Sequence, residues 1–253
     1  MLLHSKIMGE GKPLIILHGF LGTGDNWKTL GNRFAAAGFQ VHLLDQRNHG
    51  RSFHSDTFNY PAMAGDVLHY LDAHNIETSR VMGHSMGGKT AMQLAVAHPQ
   101  RVSRLVVVDI SPKAYPQHHQ DILKGLNSLD FNTISSRAEA DGALGDYIKD
   151  PGVRQFLLKN LYWKEKGVLG LRINLPALTE NTQNIGRPLP TGTMYGGSTC
   201  FIKGERSSYI EIQATALIKK HFPNATVKEI PNAGHWVHAE NPSAFYGIVV
   251  KFL

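Results

Sequence analysis

The sequence predicts an α/β fold in which helices flank a mostly parallel central sheet. Short apolar runs recur along the chain, and helical stretches separate them. The runs are mostly apolar rather than alternating, which is typical of parallel strands that helices cover on both faces. With 253 residues, the chain is long enough to bury one core of this kind.

Strands and helices alternate as far as Ser111-Pro112. Residues 1–6 are expected to open a first strand, and buried strands follow over residues 14–17, 41–44, 80–82 and 105–108. The predicted helices between these strands comprise residues 27–37, 60–74 and 88–98. Gly38 ends the first helix, Pro61 suits the first turn of the second, and Pro99 stops the third.

The alternation stops after residue 112. Residues 113–190 show helical stretches near 120–129, 135–148 and 153–161, and no buried strand is predicted before 199–202. We therefore expect a small helical cap, inserted after the strand that ends at Asp109, with residues 1–112 and 191–253 as the core. The core pattern resumes with a helix over 208–221, a strand over 226–230 and a closing helix over 243–252.

The composition argues against a membrane-spanning or disulfide-stabilised protein. No apolar run approaches the ~20 residues needed to cross a bilayer, and residues 1–6 lack the apolar core and cleavage site of a signal peptide. Cys200 is the single cysteine and is expected to be buried and inert. The expected location is the cytoplasm.

The formal net charge of +6 suits either an ordinary basic surface or attraction of an anionic substrate such as an acyl-CoA. The basic residues are scattered, and the longest run is Lys219-Lys220-His221. A nucleic-acid partner is therefore not expected. The expected partner is a small molecule.

A candidate nucleophile stands in Gly83-His84-Ser85-Met86-Gly87, between a predicted strand and a predicted helix. A strand that reverses abruptly into a helix forces its central residue into a strained conformation, and glycines on either side avoid collisions with the backbone. The turn would expose Ser85 near a helix N-terminus, which favours developing negative charge.

The candidate general base is His235, which lies in a turn directly after the last predicted strand. It would therefore reach the same edge of the sheet as Ser85. His238 follows three residues later and raises the alternative of a metal site. No cluster of carboxylates or cysteines completes such a site, so we expect neither a metal nor a cofactor.

The supporting acid has two candidates. A frequent arrangement places an aspartate after the penultimate strand, where this chain has Ser207, and a serine cannot carry the required charge. Asp109 ends the strand after that of the nucleophile and is preferred as the acid, with Glu205 as the alternative. Ser207 is then expected either to hydrogen-bond Asp109 or His235, or to cap a helix.

The oxyanion hole is expected after the first central strand, in residues 18–22. Phe20 and Met86 are the predicted backbone donors, with Leu21 as the alternative to Phe20. The polar loop of residues 45–52 is expected to brace the site. Apolar cap residues are candidates for an acyl pocket, although such residues equally often form a cap's own core: Phe131, Phe156, Leu157, Leu161, Tyr162 and Trp163.

These motifs together resemble the α/β-hydrolase superfamily, and within it the bacterial YbfF-like serine esterases. The resemblance rests on Asp45-Gln46-Arg47-Asn48-His49-Gly50, on Gly83 to Lys89, on Ser111-Pro112 and on Gly234 to Glu240. It implies the α/β-hydrolase fold with a small helical cap and no aspartate at the position of Ser207. It also implies a serine esterase or thioesterase for acyl esters, acyl-CoA included.

The predicted activity is hydrolysis of acyl esters or thioesters through an acyl-enzyme on Ser85. A C–C bond hydrolase, a lyase or a perhydrolase would use the same triad and stays open as an alternative. A non-catalytic receptor would keep the fold and lose part of the triad. Every catalytic role has a candidate here, which disfavours the receptor.

Overall fold

The computed structural model describes residues 1–253. Nine strands run, in chain order, over Ser5–Met8 (β1), Lys12–Leu17 (β2), Phe39–Leu44 (β3), Ser79–His84 (β4), Val102–Val108 (β5), Leu161–Glu165 (β6), Val168–Leu171 (β7), Ser198–Gly204 (β8) and Ala225–Ile230 (β9). Seven of them form one sheet in the order β1-β3-β2-β4-β5-β8-β9. Only β1 is antiparallel to its neighbour, which confirms the predicted, mostly parallel sheet.

Helices cover both faces of this sheet. The α-helices of the whole chain are Lys28–Ala36 (α1), Tyr60–Ala73 (α2), Met86–Ala97 (α3), Gln120–Asn127 (α4), Arg137–Gly145 (α5), Pro151–Leu158 (α6), Leu175–Glu180 (α7), Thr182–Ile185 (α8), Ala214–His221 (α9), Val237–Glu240 (α10) and Pro242–Phe252 (α11). Apolar side chains of α2, α3 and α9 pack on one face of the sheet, and those of α1 and α11 on the other. No helix combines the length and apolarity needed to span a membrane.

The elements between β5 and β8 agree with the prediction only in part. Helices α4 to α6 lie where helical stretches were expected, but β6 and β7 form an antiparallel hairpin that the sequence did not indicate. Residues 161–165 have the sequence Leu-Tyr-Trp-Lys-Glu, and none of them is buried, so they carry no signal of a core strand. The predicted helix over 208–221 is also shorter, since α9 begins at Ala214.

The connections after four neighbouring strands meet at one edge of the sheet. Ser85 follows β4, Asp109 follows β5, Ser207 lies after β8 and His235 lies after β9. Because these strands are parallel, their carboxyl ends lie side by side, and loops distant in sequence come together. This edge holds the candidate site.

Candidate active site

Ser85 occupies a strained turn between β4 and α3, with φ +52° and ψ −117°. Its backbone N–H donates to the Val108 carbonyl at 2.9 Å. A Cβ placed on Gly83 would lie 2.1 Å from the Gly87 carbonyl oxygen, and one on Gly87 would lie 2.4 Å from that of Leu17. Only glycine fits at either position, as the motif predicted, and the turn presents Ser85 at the sheet edge.

His235 is joined to Asp109 by a hydrogen bond of 2.7 Å from Nδ1 to Oδ2. Asp109 is fully buried and itself has a positive φ of +49°. A carboxylate acceptor holds the imidazole proton on Nδ1 and leaves Nε2 free to accept a proton. His235 and Ser85 line the same cavity.

The structure separates the two candidate acids. Asp109 also accepts from the Ser207 hydroxyl at 2.5 Å and from the Gly204 N–H at 3.1 Å. Glu205 is exposed, and its carboxylate accepts from the Asn232 N–H at 2.7 Å. Ser207 and His235 thus both hydrogen-bond Asp109, whereas Glu205 stabilises a turn at the surface.

We expect replacement of Ser207 by alanine to lower kcat/KM about fivefold, since Asp109 would lose one charge-assisted hydrogen bond. Steady-state hydrolysis of p-nitrophenyl acetate measures the change. The exposed neighbour Ser208 supplies the control, and Ser208→Ala is expected to retain full activity. Equal rates for the two variants would contradict a supporting role for Ser207.

Of the predicted oxyanion-hole donors, the structure leaves Phe20 and Met86 available. The Phe20 N–H has no acceptor within the protein, and Met86 begins α3 and so has no intrahelical acceptor. Leu21, the alternative, donates its N–H to His49 Nε2 at 3.2 Å. The Leu21 N–H is therefore engaged with the loop that follows β3.

Two buried histidines, which the sequence did not single out, hold that loop. His18 Nε2 accepts from the Gln46 N–H at 3.0 Å, and its Nδ1 donates to the Gly19 carbonyl. His49 Nδ1 donates to the Arg47 carbonyl at 2.9 Å. Burial lowers the pKa of His18 to about 4 and that of His49 to about 3, so both are neutral and able to accept from an amide. Through Gln46 and His49, residues 45–52 hydrogen-bond to His18 and Leu21, which is the kind of contact expected of a loop that braces the site.

Tyr209 is a further site residue that sequence reasoning missed. Its ring stacks on the His235 imidazole at 4.0 Å between centroids and 17° between planes. Its hydroxyl lies 2.6 Å from His118 Nε2 on the inserted segment. Burial raises the pKa of Tyr209 to about 12, which keeps the hydroxyl protonated as a donor. Nothing in its local sequence indicates this position, which depends on the path of the loop after β8.

The cavity beside Ser85 has a volume of about 270 Å³ and a largely apolar wall. Of the predicted acyl-pocket residues, Phe156 and Leu157 line it, together with Ile122, Val153 and Trp236. The other four predictions are wrong, because these side chains line neither cavity that borders Ser85. Phe131 and Leu161 pack into the core of the inserted segment, Tyr162 lies under the Arg172 guanidinium, and Trp163 is exposed.

Comparison with known proteins agrees with this architecture. Residues 12–144 match the family model described as the alpha/beta hydrolase fold. The sn-1-specific diacylglycerol lipase ABHD11 of Danio rerio is 36% identical over 252 residues, covering 97% of this chain and 79% of that protein. Esterase YbfF of Escherichia coli is 33% identical over 247 residues, covering 96% and 94%.

A solved structure described as a marine microorganism esterase superposes with a TM-score of 0.96 at 41% identity, and the match covers both chains completely. The resemblance inferred from the motifs is confirmed. The chain therefore belongs to the α/β-hydrolase fold family, together with proteins named as esterases and lipases.

Proposed function

We propose that this protein is a serine esterase that hydrolyses carboxylic esters or thioesters, acyl-CoA included, through an acyl-enzyme on Ser85. The observation that carries the proposal is the 2.7 Å hydrogen bond from His235 Nδ1 to Asp109 Oδ2 beside a serine held in a strained turn. The names of the relatives, esterases and lipases, support the same reaction class.

In the first half-reaction, the Ser85 hydroxyl attacks the acyl carbonyl carbon, and His235 Nε2 takes the hydroxyl proton. Asp109 stabilises the resulting imidazolium, and the Phe20 and Met86 amides donate to the oxyanion. The intermediate then collapses, and His235 returns the proton to the leaving alcohol or thiol. In the second half-reaction, His235 activates water, which releases the acid and restores the Ser85 hydroxyl.

We further propose that residues 113–190 act as a cap over a core of residues 1–112 and 191–253. Support comes from Lys89, a buried residue of α3, whose Nζ donates to the carbonyls of Lys113 at 2.6 Å and Arg187 at 2.9 Å. One ammonium group thus ties both ends of the inserted segment to the helix behind Ser85. Asn160 adds a third tie, from its side-chain amide to the Leu21 carbonyl at 2.8 Å.

Trapping the acyl-enzyme tests the proposed reaction. Wild-type protein is mixed with a p-nitrophenyl ester series from acetyl to palmitoyl and with the matching CoA thioesters. We expect a free acid as product and, after rapid acid quench, an acyl group on the peptide containing Ser85 by mass spectrometry. Labelling of another residue by a serine-directed organophosphate would contradict the proposal. Transfer to another acceptor with no free acid would favour a different reaction of the same triad.

A further inference from the structure

A second concave surface lies beside the candidate active site and is strongly basic. It has a volume of about 690 Å³ and is bordered by β1, the turn before α1, the loop after β3 and the inserted segment. We call it the basic groove, after the cations that line it: Lys6, Lys28, Arg51, Arg137, Lys159 and Arg172.

These six cations have no carboxylate partners, although Arg137 donates to the Leu158 carbonyl at 3.1 Å and Arg172 lies over the Tyr162 ring. None of them takes part in an ion pair, although seven other lysines and arginines of the chain do. Asp45 lines the groove, but its two oxygens accept from the Gly24 N–H at 2.7 Å and the Arg51 N–H at 2.9 Å, and the residue is buried. Asp25 is the one other acid of the lining. The groove therefore concentrates positive charge on a concave wall, which attracts anions.

The basic groove adjoins the cavity of Ser85. Asn26 lines both. Lys159 of the groove follows Phe156 and Leu157 of the cavity on the same helical segment. Burial, the nearby His235 and the charge of Lys159 lower the pKa of His238, a cavity residue, to about 3. A substrate bound at Ser85 would therefore have, beside its leaving group or chain, a cationic surface that lacks carboxylate partners.

We propose that the basic groove binds the phosphate groups of a phosphorylated leaving group while the acyl chain occupies the cavity beside Ser85. This inference rests on the proposed esterase function. The groove has six positive charges and one carboxylate, Asp25, that is not already hydrogen-bonded by the groove's own backbone. This excess of positive charge is larger than a ligand with one carboxylate would neutralise, and it suits a group that carries several phosphates. Guanidinium groups bind phosphate oxygens in pairs, and ammonium groups bind them as point charges. Such phosphates occur in a CoA thioester, and a single one occurs in an acylated glycerol phosphate.

Two thioesters with the same acyl group test the proposal: butyryl-CoA, and butyryl-N-acetylcysteamine, which lacks phosphates. In the variant Lys28→Glu/Lys159→Glu, we expect the KM for butyryl-CoA to rise roughly tenfold and the KM for the uncharged thioester to stay unchanged. Both lysines are exposed and make no side-chain hydrogen bond, so their replacement leaves the fold intact. Added salt is expected to weaken only the butyryl-CoA reaction.

The matched control is Lys220→Glu/Lys251→Glu, which changes the net charge equally at two exposed positions outside the groove. An equal increase in the KM for butyryl-CoA in this control would indicate a long-range charge effect and would contradict a phosphate site in the groove. Butyryl glycerol phosphate, compared with butyryl glycerol, identifies the source of the phosphate. If Lys28→Glu/Lys159→Glu raises the KM for butyryl glycerol phosphate but not that for butyryl-CoA, the phosphate that binds the groove belongs to a lipid head group.

A binding measurement separates the groove from the proposed reaction. Isothermal titration of free CoA and of glycerol 3-phosphate into wild type and both double variants needs no turnover. Loss of binding only in Lys28→Glu/Lys159→Glu would support the groove even if wild type hydrolysed neither thioester, in which case the proposed function alone would fail. Equal affinity in all three proteins, or binding of neither ligand to wild type, would overturn the inference.

Discussion

Replacing Ser85 by alanine is expected to lower kcat for p-nitrophenyl acetate by on the order of 10⁴-fold or more, because the acyl-enzyme can no longer form. Alanine retains the small side chain at the φ of +52°, so the fold should be preserved. Initial rates, normalised to folded protein by circular dichroism, measure the loss.

Thermal unfolding of Ser85→Ala serves as the control, and we expect a melting temperature close to that of wild type. An unchanged hydrolysis rate in a folded variant would show that another residue is the nucleophile. Any hydrolysis that remains in Ser85→Ala would report the contribution of the oxyanion hole, because the Phe20 and Met86 amides would still bind a developing oxyanion.

Replacing Asp109 by asparagine is expected to lower kcat by about 10⁴-fold, the loss that follows when a triad histidine is held in the wrong tautomer. The asparagine amide can donate to His235 Nδ1, which moves the imidazole proton to Nε2. That nitrogen then cannot accept the Ser85 proton. The measurement is kcat under saturating ester.

Glu205→Gln is the matched control for Asp109→Asn, since it removes the other candidate carboxylate. A glutamine oxygen can still accept from the Asn232 N–H that Glu205 binds at 2.7 Å, so we expect activity near that of wild type. Should Asp109→Asn remain active while Glu205→Gln is inactive, the acid of the triad would be Glu205, and our assignment would be wrong.

Most of the core fold was predictable because buried parallel strands have an unambiguous pattern. Residues 14–17 and 105–108 are apolar throughout, and both became central strands of the sheet. The hairpin of β6 and β7 lies outside that sheet, and no residue of β6 is buried. Its register depends on pairing between two short, partly exposed segments, which a single-sequence pattern does not reveal.

The residues of the candidate site were likewise predictable only in part. Ser85, Asp109 and His235 were identifiable because each directly follows a strand or its turn, and parallel strands bring such positions to one edge. Tyr209 and His49 were not, because their contacts with His235 and Leu21 depend on how loops cross in space. The acyl-pocket prediction failed for Trp163 because an apolar side chain carries no information about which surface it meets.

By itself, the sequence predicted the strands along the chain, the glycine-flanked turn at Ser85 and Asp109, in place of position 207, as the acid. Each of these features can be inferred from the size, charge and order of residues that are close together in the chain. Only the tertiary structure decided that Ser207 donates to the Asp109 carboxylate, that Lys89 binds both ends of the inserted segment, and that six cations without carboxylate partners share one groove. Those arrangements arise from long-range packing, in which residues far apart in the chain become neighbours only once the core is formed.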